Sequence, residues 1–315
     1  MKELFKNKFF IGYSALYVLT LILMVLIGHF PVSQAIAVLL IIGVFFTFIA
    51  YITSRSSKPL FDYKPIQTRE IVVIISILAY ITFMLSFGFD FIKTFIFQHL
   101  TKTQQIEEII VLTYKLLFFV LIPFLVYKYL YKFNSRDFGL NVKKKDFFTR
   151  KNIIILLAMS AVLFLFQFFL GNGATPIREG LISNTQLLIG LPLLYIWLIF
   201  EVGLVEEFFF RALIQSRLAA ITKSELGGIF LSALFFGLCH APGFYLRGSG
   251  TLDSLGMHPS LFMSIGYSIL VLSVAGFFLA TIWAKTKNLW LVIIIHAFLD
   301  LLPSLTEFVH TWNIN

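Results

Sequence analysis

Charge is scarce in this chain, and cysteine is nearly absent. Asp, Glu, Lys and Arg make up 13% of its 315 residues, against roughly a quarter in soluble domains. The single cysteine, Cys239, excludes an internal disulfide framework and any multi-cysteine metal site. No H-E-x-x-H is present, which excludes the zincin arrangement. No G-x-S-x-G serine turn is present either. Gly88-Phe89-Asp90 lacks the second glycine and partner aspartate of an intramembrane aspartyl site. No internal repeat or low-complexity tract is visible, and transporters are commonly built from repeats.

Apolar residues fill the space that charge leaves. They make up 59% of the chain and include 38 Phe, more than a soluble core can hold. About 20 apolar residues cross a bilayer as a helix. That ruler predicts an all-α polytopic transmembrane bundle of eight to nine spans. They run near 9–30, 34–53, 71–90, 109–130, 152–171, 186–210, 226–241, 261–284 and 289–309. The apolar run from Phe9 to Phe30 is too long for a signal-peptide core and no A-x-A site follows, so it reads as a retained signal anchor.

The net charge of +9 is sorted by side. With the N-terminus in the cytoplasm, twenty of the 25 Lys and Arg residues fall in cytoplasmic segments, four in outer ones, and Lys115 inside a span. This is the positive-inside pattern. It assigns the basic charge to topology and anionic lipid rather than to nucleic acid. The segment 133–151 is expected along the cytoplasmic surface, with Phe138, Leu140, Phe147 and Phe148 in the membrane interface. The outer loop 242–259 is rich in Pro and Gly and reads as irregular backbone.

Ionisable groups within a bilayer are costly and point to function. The early spans hold few, namely Lys115, read as paired within the bundle, and Asp90 near an edge. The late spans hold Glu201, Glu206, Glu207, Arg211, His240, His296, Asp300 and Glu307. Residues 1–151 therefore read as a scaffold of about four spans with a surface segment, and 152–315 as the catalytic bundle. Glu206 and His240 lie equally far in sequence from a turn near Lys223, at matching depth along two antiparallel helices. His296 and Asp300 enter from the same side. One layer is thus expected to hold Glu206, Glu207, His240, His296 and Asp300, provided that Gly203 and Gly227-Gly228 do not bend the helices.

Glu207 and Arg211 are spaced i, i+4 and can pair on one face. His296 and Asp300 have the same spacing, so Asp300 can orient the imidazole. Glu201 and Glu307 read as solvated at span edges, and His29, His99, His258 and His310 as hydrogen-bonding residues near span ends. Cys239 reads as a small packing residue. A desolvated carboxylate is a competent general base, and imidazoles can serve as oxyanion donors or metal ligands. The set suffices for amide hydrolysis by an activated water. The residues leave metal-free and Zn²⁺-dependent versions open.

Three motifs in order resemble the CPBP family, the CAAX proteases and bacteriocin-processing enzymes also called Abi or type II CAAX prenyl endopeptidases. They are Glu206-Glu207-Phe-Phe-Phe-Arg211, Phe236-Gly-Leu-Cys-His240 and His296-Ala-Phe-Leu-Asp300, within about residues 186–305. The resemblance implies an intramembrane endopeptidase acting on a membrane-embedded or lipidated peptide or protein. It implies that Glu206 activates water, that Glu207 and Arg211 support it, and that His240 assists the water. His296 and Asp300 would bind the oxyanion or a metal. Members are commonly labelled metalloproteases, which makes Zn²⁺ or another divalent ion a candidate cofactor and Glu206, His240 and His296 its candidate ligands. Asp300 stands where the CAAX-processing branch has Asn and is similar to bacterial members, some linked to bacteriocin immunity or to resistance to cell-wall hydrolases. That places the chain in a bacterial plasma membrane. The competing readings are a non-catalytic immunity factor or regulator of a sensor kinase, and a proton-coupled transporter.

Overall fold

The computed structural model describes residues 2–97, 103–248 and 255–314. His99 and Lys102, and positions 249–254 of the outer loop, lie outside them. The described residues are helical throughout, with turns between. Among the described residues, eight helices are long and apolar enough to cross a membrane: α1 (Lys8–Leu26), α2 (Val32–Ser54), α3 (Glu70–Phe97), α4 (Gln104–Tyr131), α5 (Arg150–Leu170), α6 (Asn184–Thr222), α7 (Glu225–Arg247) and α8 (Leu261–Thr286). Two shorter helices follow, α9 (Leu289–Leu299) and α10 (Leu305–Thr311). Large apolar side chains such as Ile11, Leu40, Phe48, Val72 and Leu157 face outward, as lipid requires. The chain is an integral membrane protein.

Contacts divide the chain into two compact units. One joins Met1–Phe89 with Phe210–Lys287, and the other joins Asp90–Phe209 with Asn288–Asn315. Each joins two stretches that are distant in sequence.

In the first unit, α8 is central and mostly buried. The Tyr13 hydroxyl of α1 lies 2.6 Å from Ser273 Oγ of α8, and Tyr17 donates to the Ala35 carbonyl of α2. The α7–α8 contact depends on Gly237. A Cβ there would collide with the Ser268 carbonyl oxygen, so only glycine permits this approach. Lys223 turns the α6–α7 hairpin in the left-handed conformation, at the expected position. Arg217, fully buried, donates to the Lys64 carbonyl and pairs with buried Glu70, Nε to Oε1 2.6 Å. This ion pair fastens the 55–69 connection to α6.

In the second unit, α9 is the inner helix. Phe138 is fully buried beside Phe124, Phe133 and Phe208. It therefore packs on protein rather than in the membrane interface. The reason is geometric: the turn it sits on is hydrogen-bonded to the start of α9, Leu289 N–H to the Gly139 carbonyl and Trp290 Nε1 to the Leu140 carbonyl.

Three boundaries differ from the sequence reading. The loop expected over 242–259 begins later, because Pro242 occupies the first turn of a helical segment, Ala241–Arg247, where its missing N–H costs nothing. The sixth span runs on to Thr222. The ninth is broken: α9 ends at Leu299, and residues 300–304, which include Pro303, turn before α10 begins.

Candidate active site

In the second unit, α6 and α9 cross at Gly203. A Cβ on Gly203 would stand 2.8 Å from the Ile293 carbonyl oxygen, so the helices touch backbone to side-chain-free backbone. Tyr195 donates to the Ile294 carbonyl at 3.1 Å and pins the same crossing. Gln167 of α5 reaches the Leu299 carbonyl at 3.4 Å and holds the far end of α9. About one turn past the crossing on each helix stand Glu206, Glu207 and His296.

His296 is buried, and its Nδ1 lies 2.7 Å from Oε1 of Glu207, which is fully buried. A carboxylate oxygen only accepts, so Nδ1–H donates. The other ring nitrogen, Nε2, lies 3.8 Å from Glu206 Oε2 and 3.6 Å from Asp300 Oδ2. Glu206 and Asp300 are the partly accessible members, with side chains 25% and 34% exposed. The hydrogen bond that orients the imidazole therefore comes from Glu207, not from the i, i+4 residue Asp300. Asp300 caps the end of α9 and faces Nε2 from there.

In the first unit, Arg211, Phe236 and His240 come together. His240 Nδ1 lies 2.7 Å from the Phe236 carbonyl oxygen, and since a carbonyl oxygen only accepts, Nδ1–H donates. The Phe236 ring packs on the His240 ring at 5.1 Å and takes the fully buried Arg211 guanidinium at 5.0 Å from its centroid. Phe210 meets Phe236 edge to face. The aromatic one turn before the histidine is thus the surface on which both polar side chains are set.

Residues 188–302 match the family model described as type II CAAX prenyl endopeptidase Rce1-like. This part of the chain is similar to that family. The matched segment contains all six residues Glu206, Glu207, Arg211, His240, His296 and Asp300. No curated protein and no solved structure matches the chain.

Two polar pairs escaped the sequence reading. Glu201 is not a solvated edge residue, because the Lys115 ammonium is hydrogen-bonded to it. Lys115 had been expected to pair within the bundle without a named partner. Glu70–Arg217 carried no sequence signal, since its members are 147 residues apart. Cys239 is buried, as a packing residue should be. Among the described residues, no group of three or more His, Cys, Asp and Glu side chains has the arrangement of a metal site. Of the candidate ligands, Glu206 and His296 stand in the second unit and His240 in the first, and the chemistry below uses the chain's own acids and imidazoles.

Proposed function

We propose that the protein is an intramembrane endopeptidase in which Glu206 activates the attacking water. One observation carries this reading. The gaps of 3.8 and 3.6 Å from His296 Nε2 to Glu206 and Asp300 are too long for direct hydrogen bonds. They leave Nε2 facing both carboxylates without a direct hydrogen bond, an arrangement that a water can join.

A water held there gives its proton to Glu206 as its oxygen attacks the scissile carbonyl carbon. The carbonyl electron pair moves to oxygen, and His296, protonated on both ring nitrogens, donates from Nε2 and stabilises the resulting oxyanion. Glu206 then returns the proton to the leaving amide nitrogen, the C–N bond breaks, and an acid and an amine depart. Glu207 holds the imidazole in the orientation this requires. By the family motifs His240 assists the water. By the same motifs Arg211 supports the acid pair. The substrate is a membrane-embedded or lipidated peptide or protein. The charge asymmetry puts the N-terminus in the cytoplasm, and the motif branch points to a bacterial plasma membrane.

The test is a Glu206→Gln variant, which keeps size and removes the base. Cleavage of membrane peptides is expected to fall at least about 10²-fold, the contribution usual for a general base. A variant that is folded and cleaves as wild type does would hand the case to the non-catalytic reading, an immunity factor or regulator.

A further inference from the structure

A cavity in the second unit lies outside every role given above. It has a volume of about 200 Å³ and is lined by Glu108 of α4, Trp197 and Glu201 of α6, and Ser304, Glu307 and Trp312 around α10. Two independent features describe what it would take. Three carboxylates border it, and carboxylates in a membrane are costly without a countercharge. Two indoles border it as well, meeting edge to face at 5.3 Å, and indole faces attract cations. The chain already places a cation against this wall, since the Lys115 ammonium, from outside the lining, is hydrogen-bonded to Glu201. The volume suits one long basic side chain rather than a drug-sized ligand.

Its position relates it to the candidate active site. Glu201 lies five residues before Glu206 on α6, about 7.5 Å along the helix. Ser304 lies one turn beyond Asp300, and its N–H bonds the Asp300 carbonyl at 3.1 Å. An extended peptide covers that distance in about two residues.

We propose that this cavity is a specificity subsite for a lysine or arginine side chain of the substrate, about two residues from the bond cut. The proposal rests on the endopeptidase reading for its placement, and on the lining alone for its ligand chemistry. A lipid amine headgroup offers the same ammonium. The peptide is favoured because the cavity lies within two residues' reach of Glu206.

The experiment titrates tryptophan fluorescence of the full chain in phosphatidylglycerol nanodiscs with n-butylammonium and n-propylguanidinium, and with n-butanol as the neutral control. A saturable change with both cations and none with butanol is expected. Glu307→Gln and Glu108→Gln are expected to weaken it at least tenfold, while Glu206→Ala leaves it unchanged. No saturable response, an equal response to butanol, or undiminished binding in both Gln variants overturns the subsite. Loss of the response on changing the lipid to phosphatidylethanolamine assigns the cavity to a headgroup and overturns the peptide. Cation binding that survives in Glu206→Ala upholds the subsite even if no cleavage is found, so the two readings fail separately. Mapped cleavage sites with no Lys or Arg about two residues away also count against it.

Discussion

The Nδ1–H of His296 is aimed at a Glu207 carboxylate oxygen 2.7 Å away, and both side chains are buried. A buried, charge-assisted hydrogen bond of this kind fixes which imidazole nitrogen is left for chemistry. Glu207→Gln keeps an acceptor but loses the charge. Cleavage is expected to drop between about 10-fold and 100-fold, the usual effect of removing a group that orients a reacting histidine. Thermal unfolding should change little. Glu207→Ala strands the imidazole and should also cost about 1–3 kcal/mol of stability. Kinetics and melting curves of the two variants side by side check this.

Gly203 controls how closely α6 meets α9. Adding a Cβ there forces it against the Ile293 carbonyl, a contact of 2.8 Å that backbone cannot relieve by rotating a side chain. Gly203→Ala is expected to separate the helices, lengthen the Glu207–His296 bond and cost about 1–3 kcal/mol. Activity should fall by more than the stability loss explains. A histidine NMR signal that shifts in Gly203→Ala as it does in Glu207→Gln would show the shared cause.

Gly203 entered the sequence reading only as a residue that could bend α6; within the second unit it is where α6 meets α9. Hydropathy located the spans because lipid imposes one length on every crossing. The Lys223 hairpin was legible because the polar turn interrupts two apolar runs. Partners across helices were not legible. Spacing rules see one helix at a time, so Glu207 was matched with Arg211 on its own helix, while His296 lies 89 residues away. Glu201–Lys115 and Glu70–Arg217 were hidden for the same reason. Phe138 was misplaced because an aromatic residue in a polar loop looks alike whether it meets lipid or protein. The break of the ninth span at Asp300 depends on the turn around Pro303, which composition alone did not weigh against nine further, mostly apolar residues.

Glu70 and Arg217 form a buried ion pair at 2.6 Å. Removing one partner leaves a buried charge, which costs about 3–5 kcal/mol. Glu70→Leu or Arg217→Met should each destabilise the first unit by that amount. The double variant Glu70→Leu/Arg217→Met should recover much of the loss. Denaturant unfolding in detergent measures the cycle. Additive losses in the double variant would show that the two residues act independently.

Lys287, at the turn between α8 and α9, is buried and hydrogen-bonded to Tyr63, with Glu225 at 3.3 Å. Burial pushes its amine down from 10.5 to about 6, and Asp62 opposes the shift. The folded state therefore releases this proton near pH 6, and the unfolded state keeps it until about 10.5. Within that window the unfolded chain binds more protons, so this group makes stability rise with pH, by up to about 1.4 kcal/mol per unit. Lys287→Met should flatten that rise. Melting temperatures of both proteins from pH 6 to 9 check it, and parallel curves would remove Lys287 as the source.

The most direct measurement is comparative membrane proteomics of cells carrying wild type, Glu206→Gln or His296→Ala. Water activation at these side chains predicts that the same uncleaved peptides accumulate in both variants and are processed in wild type. Identical peptide profiles in all three, with the variants folded and present at wild-type levels, would contradict it.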